Sequence, residues 1–236
     1  ASVWTQTLAA PVATALLFLT VFSLAVGPSR GEVMGVPFLT FLAPGVVMMQ
    51  VVQNAFANTS SSLMIAKVQG SIVDTLMPPL NAGEILAGYV VGSVARGLAV
   101  AAVTAAVMFP VTGAAVVHWG WALWFVTAAS VVLGLIGFLA AMAAEKFDQM
   151  AAITNFVVTP LSFLSGTFYS VEALPGALKV VAYLNPVFYL IDGLRFATLG
   201  VSDVSPWIGL AVTLAAIGGL GRLAWSLLDR GWRMKP

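Results

Sequence analysis

The side chains that could do chemistry in this sequence are few. There is one histidine, no cysteine, and nine acidic residues against ten basic ones. Without cysteine there is no thiol chemistry, no disulfide and no Cys-held metal. His118 stands in a predicted loop with no second ligand near it in sequence, so it does not make a metal site. One histidine also leaves no credible Ser/His/Asp set. Gly218, Gly219 and Gly221 cluster, but no Lys-Ser/Thr pair follows them, so they are not a phosphate loop. The chain is therefore expected to carry no catalytic residue, no metal and no cofactor.

What remains is polarity in unusual places. Gln50, Asn54 and Asn58 recur every four residues with Gln53 beside them, which draws a polar stripe along one helix face. Hydrocarbon cannot satisfy such amides, so the stripe must face other helices or a cavity. It could line a substrate path or tie helices together by hydrogen bonds, and both readings stand. A weaker polar set holds Thr154, Asn155, Thr159 and Ser162, with Pro160 as a candidate kink; Thr154 and Asn155 join the candidate path. Arg96 lies inside an apolar run near its end and is expected to snorkel or to pair with a neighbour. Asp192 and Arg195 sit three apart and can pair on one helix face.

The elements that must position these groups are membrane helices. The sequence is 60% hydrophobic and 8% charged, with a mean hydropathy of +1.01. A soluble domain carries about 25% charged residues, so part of the solvent here is lipid. Net charge is +1 with no basic patch, which gives no electrostatic case for nucleic acid. Period-two alternation, the mark of a membrane barrel, is absent.

Apolar runs of spanning length cover 4–26, 37–58, 85–109, 121–144, 150–168 and 206–228. The first has no basic n-region and is too long for a signal-peptide core, so it reads as a true span. Pro110 is expected to close the third. His118 and Trp119 suit an interfacial belt before the fourth. Gly88 and Gly92 form a GxxxG that predicts close helix packing. The terminal side holds Lys67, Lys146, Arg222, Arg230, Arg233 and Lys235, and the other side Arg30, Lys179 and Arg195. That bias puts both termini in the cytoplasm.

Two connections are more than turns. In the loop 59–84, residues 69–77 can form a short helix that Pro78 and Pro79 stop. Asn81 and Glu84 have capping-box spacing and open the third span. The result is a partly apolar knob held stiffly at the cytoplasmic surface, fit to dock a soluble partner or to lie on lipid. The second connection, 169–205, is too long for a turn and too apolar for a free loop. Helices are expected over 174–184 and 186–199, the latter capped by Asn185, opened by Pro186 and ended by Gly200. Ser205-Pro206 should start the last span in the same way. Such a pair dips into the outer leaflet and returns, as a gate or as a fixed cap. The fold class is all-α integral membrane: one domain, 1–236, of six transmembrane helices with a re-entrant helical pair between helices 5 and 6.

Two stretches resemble the ABC-2 family of exporter permeases, of the type V architecture. One is Ala66-Lys-Val-Gln-Gly-Ser-Ile-Val-Asp-Thr-Leu-Met-Pro-Pro-Leu80, running on through Gly88-Tyr89 to Val94-Ala-Arg96-Gly97. The other is Asn185-Pro-Val-Phe-Tyr-Leu-Ile-Asp-Gly-Leu-Arg195-Phe. The resemblance spans nearly the whole chain in motif order. It implies a coupling helix, Gln69, Gly70, Ser71, Ile72, Val73, Asp74 and Leu76, seated in a cleft of a separate P-loop ATPase. Glu145 and Lys146 would form a second cytoplasmic contact. The helix carrying Asn185, Pro186, Tyr189, Asp192 and Arg195 would help close the outer side.

The resemblance further implies two ATPase subunits that hold ATP and Mg, a second copy of this chain as homodimer partner, and a bacterial inner (cytoplasmic) membrane. The substrate would be a drug, lipid or glycan moved outward. Members carry an amphipathic helix before the first span; only residues 1–6 stand there, so a segment upstream of Ala1 is expected. They often have an acidic pair entering the coupling loop, where Lys67 and Gln69 stand here. The rival class is an ATP-independent carrier or a structural subunit of a larger complex. A cation-coupled carrier needs carboxylates at mid-membrane, and all nine acidic residues fall in predicted loops, span ends or the re-entrant segment. A wide glycan channel would favour pore-lining aromatics, for which Trp4, Phe18 and Phe22 are candidates that could equally face lipid.

Overall fold

A computed structural model describes residues 2–25, 31–71 and 80–232, the side chains of 2–7 excepted. It is helical almost throughout. Helix α1 is Ser2–Ala25, followed by a hairpin of β1 (Glu32–Val33) and β2 (Val36–Pro37). Then come α2 (Phe38–Val68), α3 (Ala82–Thr112) and α4 (Trp119–Ala143). Helix α5 (Phe147–Ile153) runs through a π-helical turn, Thr154–Val158, into α6 (Thr159–Leu164). A 3-10 turn at Val171–Ala173 precedes α7 (Gly176–Leu184), α8 (Pro186–Leu199) and α9 (Pro206–Asp229).

Among the described residues five helices are long and apolar enough to cross a membrane: α1, α2, α3, α4 and α9. The pair α7 and α8 makes a sixth if counted as one, but it bends by 86° at Asn185. The run expected over 150–168 is helical from Phe147 but ends at Leu164, and the π turn divides it.

Two boundaries differ from expectation, each for a local reason. Helix α2 does not stop at residue 58; it continues to Val68 through the polar stretch. Ser61 Oγ donates to Ala57 O at 2.6 Å and Ser62 Oγ to Asn58 O at 2.7 Å. The serines thus satisfy themselves on the helix's own carbonyls, and Leu63 and Met64 bury the other face. Helix α3 passes Pro110 and ends at Thr112. A proline in the last turn forfeits little of the ladder, and the stop comes from Gly113, left-handed at φ +73°, whose N–H donates to Phe109 O. Each of these two helices holds 31 residues, about 46 Å at 1.5 Å per residue against a hydrocarbon core of about 30 Å. They therefore project beyond it.

In lipid the hydrophobic effect does not drive helices together; close packing and interhelical hydrogen bonds do. Helices α2 and α4 form the centre, 78% and 72% buried over their spanning windows, while α1, α3 and α9 surround them at 17%, 28% and 17%. The centre is knit by small residues. Ser93 Oγ lies 3.1 Å from Ala55 O and 2.8 Å from Ser130 O, so one hydroxyl on α3 bridges α2 and α4. A Cβ on Gly97 would fall 2.0 Å from Ser130 Oγ, and one on Gly137 would fall 2.6 Å from Phe56 O. The expected GxxxG is not the contact: Gly88 meets nothing within 4 Å among the described residues, and Gly92 only Asn58 Nδ2 at 3.4 Å. The close approach lies further along α3, at Ser93 and Gly97.

Phe22 of α1 stacks on Phe168 at 4.8 Å, Phe18 meets the same ring tilted at 5.6 Å, and the two reach Phe38 and Phe163. They fasten α1 to α6, the loop after it and the start of α2. Trp4's side chain lies outside the described residues.

Candidate functional site

On the side where α2 ends and α3 begins, the chain is punctuated at both edges of the expected docking loop. Gln69 N–H donates to Ile65 O at 2.9 Å, and Gly70, left-handed at φ +73°, ends the helix. Gln69 and Gly70 are exposed. Ile72, Val73, Asp74 and Leu76, with the rest of 72–79, lie outside the described residues. The chain resumes at Leu80. Asn81 Oδ1 accepts from Glu84 N at 2.9 Å and Glu84 Oε2 accepts from Asn81 N at 2.8 Å, the reciprocal capping box the spacing predicts.

The second expected contact sits at the α4–α5 turn. Glu145 N–H donates to the Gln149 side chain at 2.8 Å, and Glu145, Lys146 and Phe147 are exposed. Lys67, which stands where the family often has an acidic pair, turns to the end of α4. Its ammonium donates to the carbonyls of Ala141, Met142 and Ala144 at 3.0, 3.0 and 2.7 Å.

The polar stripe of α2 divides. Gln50 is buried, and its Nε2 has no hydrogen-bond partner among the described residues. Asn54 Nδ2 donates to Gln50 O, and its Oδ1 accepts from Arg96 Nη2 at 3.2 Å, the pairing expected of an intramembrane arginine. Gln53 is half-buried. Asn58 lines a cleft of about 380 Å³ with Ser62, Glu84 and Tyr89. Thr154 lines another, of about 390 Å³, with Ser60 and Ser61 of α2 and Asp148 of α5. Asn155 is exposed on the π turn. The stripe and the Thr154 set thus flank α2 at two places rather than meeting in one cavity.

At the opposite end the helix starting at Asn185 is built as its sequence predicts. Asn185 Oδ1 accepts from Val187 N, Pro186 takes the first helical position, and Gly200 ends the helix at φ +73°. Asn185 also reaches out: its Nδ2 donates to Leu161 O at 3.0 Å and to Ser165 Oγ at 2.7 Å, fixing α8 to the end of α6. Tyr189 O–H donates to Tyr183 O, tying α8 back to α7. Ser205 precedes Pro206 as expected, but its side chain makes no capping bond.

Asp192 and Arg195 do pair, Oδ1 to Nη1 at 3.6 Å, within a larger network. Arg195 is fully buried; its Nη2 donates to Gly166 O at 2.6 Å, and its guanidinium carbon lies 4.0 Å from the centre of the Phe41 ring. Asp203 Oδ2 is 4.0 Å from Nη1. Asp192 accepts from the backbone N–H groups of Asp203 and Val204 at 2.8 and 3.0 Å. Asp203 accepts from Val171 N at 3.1 Å and from the Ser170 hydroxyl. A buried guanidinium is costly unless counter-charges and acceptors surround it; here α2 supplies an aromatic face, the loop after α6 a carbonyl, and α8 and the loop before α9 a carboxylate each, while Nε and Nη1 make no hydrogen bond among the described residues. Asp203, Ser170, Gly166 and Phe41 complete this network, and sequence reasoning misses them because no periodicity links them to Arg195. On the surface, Lys179 Nζ and Tyr183 O–H both donate to Glu172, and these bonds hold its carboxyl below the usual carboxylate range.

A family model described as ABC-2 type transporter matches residues 2–199. The chain is similar to the inner membrane transport permease YadH of Escherichia coli, 36% identical over 229 residues, covering 97% of this chain and 90% of the relative. It is also similar to nodulation protein J of Rhizobium leguminosarum bv. trifolii, 26% identical over 206 residues, 84% of this chain and 77% of the relative. Nodulation protein J of Sinorhizobium fredii is 28% identical over 200 residues, 81% and 72%.

Proposed function

Because this chain belongs to the ABC-2 type transporter family, we propose that it is the membrane subunit of an ATP-driven exporter, paired with a second copy of itself and worked by two P-loop ATPase chains. It is a multi-pass transport permease of the bacterial inner membrane. ATP and Mg are held by the ATPase, and no covalent step falls on this chain.

The observation that carries this reading is the clamped loop. Its two edges, Gly70 and the Asn81–Glu84 box, are fixed by local backbone chemistry, and they join helices that project past the hydrocarbon. A push on a loop held at both edges turns both helices; a slack loop would absorb it. Gln69 to Leu76 is the coupling helix in this reading, Glu145 and Lys146 the second contact, and both termini are cytoplasmic. Gln50, Gln53, Asn54 and Asn58 on α2, with Thr154 and Asn155 at the π turn, border the path. The elbow of α7 and α8 is the re-entrant pair that closes the outer side. The cargo is a drug, lipid or glycan-type molecule.

Purification of the chain in mild detergent tests this. A P-loop ATPase should accompany it at about one per permease, and Gly70→Arg or Asp74→Arg should release it. Isolation of the chain alone, or in an assembly without an ATPase, would return it to the carrier or structural class.

A further inference from the structure

Helices end with carbonyls that have no partner of their own. At the end of α4, Ala144 N–H takes Ala140 O. The carbonyls of Ala141, Met142 and Ala144 receive the ammonium of Lys67, which comes from the last turn of α2. The distances, 2.7 to 3.0 Å, are those of charge-assisted hydrogen bonds. The cation also sits at the negative end of the α4 dipole, where a lysine is favoured.

The position of this contact matters more than its strength. Lys67 stands just ahead of Gln69 and Gly70, where α2 gives way to the docking loop. Ala144 stands immediately before Glu145, where α4 gives way to the second contact. Deeper in the bundle α2 and α4 meet at small residues, such as Gly137 close against the backbone of Phe56, and through buried apolar side chains such as Val52 and Leu133. Apolar surfaces can slide by fractions of a turn, whereas a cation on carbonyls set at fixed angles resists sliding.

Resting on the reading above, we propose that Lys67 is a positioning residue: it staples the two ATPase-facing segments, 69–71 and 144–149, into one mechanical unit. Movement of the coupling loop is then delivered to α4 as well as to α2 and α3. The inference is distinct from binding of the ATPase, because the contacts it rests on are those of Lys67 with the carbonyls at the end of α4.

Amide hydrogen exchange of the permease–ATPase complex, with and without ATP, tests this in the parent chain, Lys67→Met, Lys67→Gln and Lys67→Arg. The parent should show ATP-dependent changes at both 66–71 and 140–149. In Lys67→Met the change at 66–71 should persist and that at 140–149 should vanish, while exchange at 140–149 without ATP rises about tenfold from loss of the staple. Lys67→Arg should restore the linked response. Lys67→Gln, which keeps a donor, covers the case in which Lys67→Met fails to fold, and should show a reduced response at 140–149. If the ATP response at 140–149 survives in Lys67→Met, Lys67 is a stabilising cap only and the proposal fails while the coupling reading stands. If the parent responds at 66–71 alone, the proposal also fails by itself. If the parent binds no ATPase or responds at neither segment, the coupling reading falls and takes this proposal with it.

Discussion

The two ends of the bundle are held by opposite means. At the end that carries Gly70, Asn81 and Glu145, the loop edges are fastened over short stretches of sequence, by a left-handed glycine, a capping box over three residues and a side chain closing its own turn, with Lys67 adding a long-range tie from α2 to the end of α4. These leave the surface exposed and free to be gripped from outside. At the end that carries Arg195, the fastenings are long and buried: Arg195 to Gly166, Asp203 to Ser170, Asn185 to Leu161. That end grips itself. The proposed coupling to a soluble ATPase fits this asymmetry, since one end would accept force while the other holds its shape.

The comparison can be broken most severely at Arg195. Replacing it with Met leaves Asp192 and Asp203 facing each other without their counter-charge. We expect a loss of about 3–5 kcal/mol, as for other buried pairs broken from one side. Thermal unfolding in detergent should show it as a large fall in midpoint, with ATPase association retained if the two ends are independent. At the other end, Asn81→Ala removes one half of the capping box and should cost only about 1 kcal/mol. Hydrogen exchange should locate the effect in the first turn of α3, and the outer end should be untouched. The smallest effect concerns Glu172. Its carboxyl is depressed by Lys179 and Tyr183, so its contribution is present above the unfolded carboxylate value and is lost as pH falls through the lower folded value. Glu172→Gln should flatten the acid limb of stability against pH slightly, and only there.

How much of this was legible follows the same division. The Asn185–Pro186 start, the Gly200 stop and the Asn81–Glu84 box were readable because a cap is chemistry among neighbours. So was the pairing of Asp192 with Arg195, three residues apart on one helix. Asp203 was not, because it reaches Arg195 across a loop that no period predicts. The acceptors of Lys67 are not legible, because they lie at the end of another helix more than seventy residues away. The serines at 60–62 looked like a loop because polarity alone was counted, and their hydroxyls spend it on their own helix. The polar stripe was visible, but its division between Arg96 and the cleft beside Tyr89 depends on where α3 crosses.

The π turn at Thr154–Val158 has a consequence for phase. It holds one residue more than an α turn, and each residue advances a helix by about 100°. Everything beyond it, including Leu161 and Ser165 where they meet the Asn185 amide, owes its compass bearing to that extra residue. A single-residue deletion in the turn would leave a helix only one residue shorter, yet with everything beyond it aimed the wrong way. In this stretch the gene encodes an angle by counting.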